Sequence, residues 1–366
     1  MLLIIFLSLL VIVLMVIFYG FLITKKREET YKLSEKKVGF TVELCIVCKN
    51  EGDNIIKVLE HYLAFPDYFS ISVYDDNSDD SSYEKMLTLA EKNKNRLKIR
   101  KLIYSKKIIH PKGMGVEAFI KDTQADILLI NDADSLIIFS DFEKALSYLL
   151  TNDLDVVHLS RKNDLSDSLI TRVSATEEMI VTALKIFGIT EWCFSGSGIL
   201  MKKRAASVLV YDDFVPSDDI ELGHQLKEKR MHIYSFQTLF VHEKAPSTFR
   251  GFFSQRAKWC RNIAYQLFQT KGIGTYIQTF GSSLALFFLF GLFSPLSLCL
   301  IFIGIIYTCL GLISRMMFAN ESFSNSFVPA IFNTLQIWIQ GAIFTPFYML
   351  IYPFKRNRIE YKKSEL

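Results

Sequence analysis

The sequence predicts an α/β domain with transmembrane helices at both ends of the chain. Three observations predict this organisation. From Phe40 onward, short β-rich runs alternate with amphipathic stretches, which is typical of parallel βαβ units. The N-terminal run Met1–Ile23 contains no charged side chain. Near the other end, Phe280–Ile313 and Phe327–Phe354 are again apolar.

The N-terminal run is long enough to cross a bilayer, for which about 20 apolar residues suffice. We interpret residues 1–24 as a transmembrane anchor rather than a signal peptide, because no basic region precedes the run and no small-residue cleavage site follows it. The basic cluster Lys25–Arg27 follows directly, and such charges favour a cytoplasmic flank. The central domain is therefore expected in the cytosol.

The C-terminal region, residues 280–354, is also predicted to cross the membrane. It is followed by a basic tail, residues 355–366. A cytosolic tail requires an even number of crossings, which favours two helices. The run from 280 to 313 is longer than one helix needs, so three helices are the alternative. The predicted location is the cell membrane, with several crossings and a cytoplasmic catalytic domain.

Charge and cysteine content argue against other classes of protein. The formal net charge is only +4, and the basic residues gather at predicted membrane edges, so lipid headgroups are a better partner than nucleic acid. Cys45 and Cys48 lie in one apolar run with no second pair or histidine cluster to complete a zinc site. We interpret them as buried thiols.

The elements of the central domain follow in a regular order. Predicted strands are β-branched or aromatic runs bounded by turn residues: Phe40–Val47, Ser70–Tyr74, Leu97–Ile103, Ile127–Ile130 and Val156–Leu159. Predicted helices are Asn54–Leu63, Ser81–Glu91 and Asp141–Leu150. Polar residues follow three strands: Asn50 and Glu51, then Asp75 and Asp76, then Asp132 and Asp134. Because ligands of open α/β sheets bind at the carboxyl ends of strands, these residues are expected to share one crevice.

Asp132 and Asp134 predict a metal site. Two carboxylates at i and i+2 beyond a strand can place one group on a ribose or a metal-bound water and the other on a hard cation. Mg²⁺ and Mn²⁺ accept such oxygen ligands together with substrate phosphates. A solvated turn is the alternative for so short a motif, but the buried strand before it favours the site. We therefore predict Mg²⁺ or Mn²⁺ on Asp134.

Three polar signatures follow one another in the second half of the chain: SDDIEL at Ser217–Leu222, the pattern Glu243-x-x-Pro246-x-Thr248, and QRAKW at Gln255–Trp259. They resemble the T-E-D-x-x-L, E-x-x-P-x-S and Q-x-x-R-W segments of glycosyltransferase family 2. Lys258 stands where the last segment usually has arginine, which keeps the charge but loses a rigid two-pronged donor.

The first half of the chain is similar to the same family. Cys45–Ile55 resembles its opening strand and N-E loop, Val73–Asp79 its V-D-D-x-S-x-D segment, and Asp126–Asp134 its D-x-D strand. Lys112-Gly113 and Ala118 resemble its K-x-x-A-L-N-A helix, with Glu117 in place of the usual asparagine. The resemblance spans the predicted domain 38–265 and implies the GT-A nucleotide-diphosphosugar fold, with a mixed, Rossmann-like sheet. It points to the polysaccharide synthase and N-acetylglucosaminyltransferase-like branch.

The resemblance also implies roles. Asp219 would be the base that takes the proton of the acceptor hydroxyl, with inversion at the anomeric carbon. Asp76 would contact uracil, and Asp75 would support the loop. From the sequence alone, Lys112 is either a point charge that meets a phosphate or a solvated loop lysine. Asp218 matches the glutamate of the family's E-D pair. The predicted donor site consists of Asn50, Glu51, Asp76, Lys112 and Asp132, and Asp218 is assigned to the acceptor and diphosphate side.

The acceptor side is predicted from two further segments. In the first, Phe194–Gly198, the glycines allow close backbone approach, and Gly196 and Ser197 are assigned to the acceptor side. The second is Gln255–Trp259, on a helix at the membrane surface where aromatic and basic residues alternate. Gln255 and Trp259 would line the acceptor mouth, and Arg256 or Lys258 would meet the diphosphate.

The predicted protein is thus a hexosyl- or N-acetylhexosaminyl-transferase. It would move a sugar from a UDP-sugar to a membrane-associated acceptor, which is a lipid carrier, a glycolipid or a growing polysaccharide. The alternative is a transfer-inactive partner subunit of a polysaccharide-synthesis complex. Three departures from the family pattern favour that alternative: Glu117, Asp218 and Lys258.

Overall fold

The computed structural model describes residues 12, 15–16, 18–20, 22–28, 30–31, 39–103, 111–163, 168–184, 194–211, 218–269, 295–318 and 321–339. The chain divides into two compact units. We call Lys25–Lys162 with Thr190–Lys244 the sheet unit, and Met1–Thr24, Asn163–Ile189 and Ala245–Leu366 the helical unit.

The sheet unit is built on eight strands: β1 Val42–Cys48, β2 Phe69–Asp75, β3 Leu97–Lys101, β4 Ile127–Asp132, β5 Leu136–Ile137, β6 Val156–Asn163, β7 Ile199–Lys202 and β8 Ile233–Glu243. Their order in the sheet is β3-β2-β1-β4-β7-β6-β8-β5. The first four strands of this order are parallel, whereas β7 is antiparallel to β4 and β6, and β5 is antiparallel to β8. The mixed sheet implied by the family resemblance is confirmed.

The helices of the sheet unit are α1 Asp53–Leu63, α2 Ser82–Lys92, α3 Pro111–Asp122, α4 Phe139–Thr151, α6 Lys203–Ala206 and α7 Asp218–Glu228. Those of the helical unit are α5 Leu169–Leu184, α8 Phe249–Gln269, α9 Pro295–Phe318 and α10 Phe323–Ile339. Every strand and helix predicted between residues 40 and 159 is found within a few residues of its expected bounds.

The parallel strands β1, β2 and β4 are almost entirely buried, because helices cover both faces of this part of the sheet. In β1, alternate residues belong to two different buried clusters, with Leu44 and Ile46 on one side and Cys45 on the other. Cys48 lies in the cluster opposite to Cys45, so the two thiols face away from each other, and both are buried. Burial raises the pKa of Cys45, and the burial of both side chains agrees with their interpretation as buried thiols.

The helical unit packs α5 against α9 and α10. Arg315 of α9 is fully buried. It is ion-paired with Glu321 and donates to the carbonyl oxygen of Arg172 at 2.6 Å. Helix α5 and the part of α8 up to residue 265, which the sequence assigns to the central domain, belong to this unit.

Among the described residues, no helix is both long enough and apolar enough to cross a membrane. Much of the predicted anchor 1–24 lies outside the described residues, as do 280–294, 340–354 and the tail 355–366. The predicted membrane crossings therefore stay predictions.

Candidate active site

Three neighbouring strands bring acidic residues to one edge of the sheet. β1 lies between β2 and β4, and its residues Cys48 and Val47 are in register with Asp75 and Asp132, respectively. Since neighbouring strands lie about 4.8 Å apart, the backbones of Asp75 and Asp132 are roughly 10 Å apart across β1. The strand ends that carry these acidic residues are therefore neighbours at one edge of the sheet, as predicted.

Lys112 connects a helix, a strand end and a loop. Its Nζ lies 2.5 Å from Oδ1 of Asp132 and donates to the carbonyl oxygen of Gly196 at 2.9 Å. Lys112 stands in the first turn of α3, which approaches β1 closely at Gly115. A Cβ on Gly115 would lie 2.4 Å from Cγ2 of Val47, so the absence of a side chain there sets the position of the helix.

Gly196 lies among three charged side chains. Its φ of +81° is in the left-handed region that favours glycine. A Cβ built on it would lie 3.0 Å from Nζ of Lys112, 3.4 Å from Oδ2 of Asp219 and 3.5 Å from Oδ2 of Asp132. The backbone of Gly196 therefore lies among three charged side chains, and four residues predicted from separate motifs meet at one place.

Asp219 lies in the first turn of α7 and is half-buried. The helix begins where the sequence pattern predicts, at Asp218. The side chain of Asp218 and all of Ser217 lie outside what the structure describes, so the predicted role of Asp218 stays a prediction.

Asn50 joins the loops that follow β1 and β2. Its amide oxygen accepts a hydrogen bond from the backbone N–H of Asp79 at 2.9 Å, and its amide nitrogen donates to Oδ1 of Asp79 at 2.5 Å. Its own backbone N–H donates to Oγ of Ser78 at 3.0 Å. Asn50 thus ties the loop after β1 to the loop after β2. Glu51 beside it is partly buried.

The two carboxylates after β2 have different surroundings. Oδ2 of Asp76 lies 3.3 Å from Nζ of Lys49. Asp75 is fully buried, and its Oδ2 accepts the backbone N–H of Ser78 at 3.2 Å. Its Oδ1 is buried with no hydrogen-bond partner among the described residues. A buried acceptor without a donor costs about 1–3 kcal/mol. Sequence reasoning predicts only a supporting role in the loop for Asp75.

A hydrogen-bonded chain continues from Asp132 into the sheet. Ser197 donates to Oδ2 of Asp132 at 2.7 Å, and Oγ of Ser135 lies 3.2 Å from that of Ser197. Ser135 in turn donates to Oε1 of Glu243 at 3.0 Å, whose Oε2 lies 2.8 Å from Nε of Arg161. Sequence reasoning missed Ser135 and Arg161, and it gave Glu243 no role beyond a motif match.

Asp134, the predicted metal ligand, lies in a crowded acidic environment. Burial raises the pKa of its carboxyl group, and the negative charges of Asp132 and Glu51 raise it further. The described residues contain no group of three or more His, Cys, Asp or Glu side chains that could hold a metal alone. The residues present nevertheless fit a divalent cation, because a cation relieves the repulsion among carboxylates and Mg²⁺ usually takes one or two of them together with substrate phosphates.

The predicted acceptor box, Gln255–Trp259, lies on α8 of the helical unit, in the helical conformation that the sequence predicts. Arg256 is fully buried, with NH2 2.6 Å from Oε2 of Glu177 and its guanidinium carbon 4.4 Å from the ring centroid of Trp259. Its predicted contact with a diphosphate conflicts with this packing, because the guanidinium is already enclosed. Lys258 of the same box is partly exposed, and its predicted contact with a diphosphate stays a prediction.

Two family models match the chain. The model of Glycosyl transferase family group 2 matches residues 127–352, which is more than half of the chain. The model of Glycosyl transferase family 2 matches residues 43–209. No curated protein matches the sequence.

Solved structures resemble the fold at low sequence identity. The mannosyltransferase PcManGT from Pyrobaculum calidifontis, in complex with GDP-Man and Mn²⁺, is 14% identical with a TM-score of 0.52, covering 97% of this chain and 100% of its own. S. aureus TarS 1–349 is 13% identical with a TM-score of 0.46, covering 82% and 92%. Glucosyl-3-phosphoglycerate synthase from Mycobacterium tuberculosis, with Mn²⁺, UDP and glucosyl-3-phosphoglycerate, is 16% identical with a TM-score of 0.46, covering 63% and 80%. The likeness to the mannosyltransferase confirms the GT-A-like α/β fold.

Proposed function

The chain belongs to glycosyl transferase family group 2, and from this premise we propose that it is an inverting transferase that moves a sugar from a UDP-sugar to a membrane-associated acceptor. That it is a family 2 glycosyltransferase follows from the family models. The nucleotide, the stereochemistry and the acceptor are the parts that we propose.

One observation carries the proposal. Charged atoms of Lys112, Asp132 and Asp219 all lie within 3.5 Å of the position that a Cβ on Gly196 would occupy. A transferase needs a cation for the leaving diphosphate and a base for the acceptor hydroxyl, set close together. Lys112 supplies the first and Asp219 the second. Because Gly196 has no side chain, substrate atoms can approach the backbone between them.

Asp219 is the proposed base. Its carboxylate accepts the proton of the acceptor hydroxyl while that oxygen attacks the anomeric carbon and the bond to the diphosphate breaks. Attack from the face opposite the leaving group inverts the configuration. Gly196 and Ser197 border the same position, which suits an acceptor-side loop. Within the family match, Gln255, Lys258 and Trp259 keep their proposed role on the acceptor side.

The donor would lie along the carboxyl ends of β1, β2 and β4. We propose that Lys112 meets a phosphate, that Asp132 and Glu51 border the nucleotide, and that Asp76 and Asp75 border the base. The unpartnered Oδ1 of Asp75 suits the N–H that uracil presents at its edge, since a carboxylate is an acceptor only.

A divalent cation on Asp134 completes this proposal. When bound, Mg²⁺ or Mn²⁺ neutralises charge on the leaving diphosphate as a Lewis acid. The protein's own contribution is the acidic environment in which burial and the charges of Asp132 and Glu51 already raise the pKa of Asp134.

Membrane association is supported by helix α10, where the usual arrangement of polar and apolar residues is reversed. Its buried side chains include Ser326, Asn333, Thr334 and Gln336, whereas its large apolar side chains are 43–57% exposed: Phe323, Phe327, Val328, Phe332 and Leu335. Contiguous exposed apolar residues mark interaction surfaces, and polar residues that face a bundle interior are typical of helices in contact with lipid. We propose that this apolar face of α10 contacts the bilayer.

Quenching by brominated lipid tests the α10 proposal. The tryptophan introduced by Phe332→Trp should be quenched in brominated bilayers. The variant should therefore lose more fluorescence than the wild type, which contains only the natural tryptophans. Leu87→Trp is the matched control, because Leu87 is also an exposed apolar side chain (38%) on a helix, α2, but stands alone there. Equal quenching of the two variants would reject lipid contact by α10.

The transfer reaction is tested with purified protein in lipid, Mn²⁺ and a panel of radiolabelled UDP-sugars with GDP-mannose added. Asp219→Asn should lower transfer about 100-fold or more, since a positioned base contributes about 10²–10⁴-fold, while UDP binding is spared. Asp67→Asn is the control, because its carboxylate is fully exposed. A long labelled polymer would indicate a processive enzyme, and a short lipid-linked product a single addition.

Three outcomes would contradict the proposal. Transfer by Asp219→Asn at the wild-type rate would remove Asp219 as the base. Transfer from the GDP-sugar alone would overturn the choice of uridine. UDP binding without transfer from any donor would favour the inactive partner subunit.

A further inference from the structure

We propose that Glu243, held by Arg161, is a positioning residue that acts on Asp132 through the hydroxyl groups of Ser135 and Ser197. This inference rests on the proposed function, because it assigns Asp132 to the donor site. It gives a role to the glutamate at the end of β8, a residue that the reaction itself does not use.

Glu243 and Arg161 form an enclosed ion pair. Only 12% of the Glu243 side chain and 15% of the Arg161 side chain are exposed. Both oxygens of the carboxylate are engaged, Oε2 with Nε of Arg161 at 2.8 Å and Oε1 with the hydroxyl of Ser135 at 3.0 Å. Arg161 also donates to the backbone carbonyl of Ser195, one residue before Gly196. The pair therefore contacts both the end of the D-x-D segment and the acceptor-side loop.

The hydroxyl groups of Ser135 and Ser197 connect Glu243 to Asp132. Each hydroxyl group has one proton to donate. The proton of Ser135 is directed to Oε1 of Glu243, and that of Ser197 to Oδ2 of Asp132 at 2.7 Å. The two oxygen atoms lie 3.2 Å apart, so while Glu243 holds the proton of Ser135, Ser197 has Asp132 as its charged acceptor.

Asp132 is in this way held on both oxygens. Oδ1 faces Nζ of Lys112 at 2.5 Å, and Oδ2 accepts from Ser197, whose Oγ also accepts the backbone N–H of Asp132 at 3.2 Å. Without Glu243, the hydroxyl proton of Ser135 can turn toward Ser197. The hydroxyl group of Ser197 then no longer has a fixed orientation. The carboxylate of Asp132 then loses a defined orientation. A misplacement of about 1 Å at a reacting group can cost about 100-fold in rate.

The test is a double-mutant cycle on UDP affinity, measured by calorimetry with Mn²⁺ present. Glu243→Gln and Ser197→Ala should each weaken UDP binding about 10-fold, in the range of losses that supporting residues around a site produce. The double variant should be little weaker than either single one, because the two residues act along one chain. In transfer assays the same variants should raise the donor KM more than they lower kcat.

Glu60→Gln is the control, because Glu60 is an exposed glutamate on α1, away from this chain of hydrogen bonds. Thermal unfolding of each variant separates loss of fold from loss of position. UDP affinity of Glu243→Gln equal to that of the wild type, or losses that simply add in the double variant, would overturn the inference. Failure of the wild type to bind UDP would count against the proposed function instead, so the two failures are distinguishable.

Discussion

Lys112 and Asp132 form an ion pair with 2.5 Å between Nζ and Oδ1, and about a quarter of each side chain is exposed (24% and 30%). A diphosphate that binds Lys112 must compete with this carboxylate. The acidic side chains Asp134 and Glu51 lie close enough to influence one another electrostatically, so the crevice repels an anion unless a cation offsets the charge.

Removal of the divalent cation should therefore weaken UDP binding but not uridine binding. Chelation should lower UDP affinity about 10-fold or more, since Mg²⁺ and Mn²⁺ sites of this kind include substrate phosphates. Uridine carries no phosphate, so its affinity should stay constant. Titration calorimetry with and without Mn²⁺ measures both. Equal metal dependence for the two ligands would show that the cation acts on the protein fold rather than on the diphosphate.

Gly196→Ala should abolish transfer, because the new Cβ would lie 3.0 Å from Nζ of Lys112 at a φ of +81°. Gly39→Ala is a matched control: Gly39 also has a positive φ of +97°, but nothing lies within 4 Å of its Cβ position. Each substitution should destabilise the protein by about 1 kcal/mol through backbone strain. Only the change at Gly196 should remove UDP-sugar turnover, measured by product formation. Equal activities of the two variants would mean that the space at Gly196 is not used by substrate.

Gly115→Ala should displace α3 and Lys112 with it. Its Cβ would lie 2.4 Å from Cγ2 of Val47, and such overpacking typically costs about 1–3 kcal/mol. Denaturant unfolding should show that loss in the single variant. Adding Val47→Ala should recover part of it by making room, and the single variant Val47→Ala completes the cycle. If the second substitution only adds to the loss, the contact does not set the helix position.

The parallel part of the fold could be predicted because its apolar residues recur at strand and helix spacing over Phe40–Leu159. The antiparallel part could not. Strand β7, Ile199–Lys202, has four residues, and its direction depends on pairing with β4 and β6 far along the chain. No local period records such a pairing.

The candidate site was predictable where each residue carries its own motif. Lys112, Asp132, Gly196 and Asp219 were all predicted from local patterns, and they meet in the structure. Arg161 had no such pattern, because its importance comes from a contact with Glu243 across the sheet. Arg256 shows the opposite case. Helical spacing predicted its helix but not its burial, because a charged residue is rarely fully buried unless it is paired and its partner Glu177 lies far away in the sequence.

Glu43 gives the fold a pH dependence. It is buried on β1 and accepts hydrogen bonds from Ser72 and Thr123, both at 2.6 Å. Burial alone would raise the pKa of its carboxyl group, but the hydrogen bonds from Ser72 and Thr123 and the charge of Lys98 outweigh burial, so that the pKa lies below its ordinary value. A depressed pKa in the folded state means that the ionised carboxylate stabilises the fold above the unfolded-state pKa and that this contribution is lost as pH falls through the lower, folded-state value.

Glu43→Gln should therefore lower the free energy of unfolding at pH 7 by about 1–3 kcal/mol, the cost of disturbing a buried hydrogen-bonded group. The difference from the wild type should shrink as pH falls below about 4.3, the ordinary value for glutamate, because the wild-type carboxylate becomes protonated there. Urea unfolding between pH 3 and 7 measures the difference, with Glu60→Gln as an exposed control that should show little change. A difference that stays constant across this range would mean that the side-chain shape of Glu43, and not its charge, stabilises the sheet.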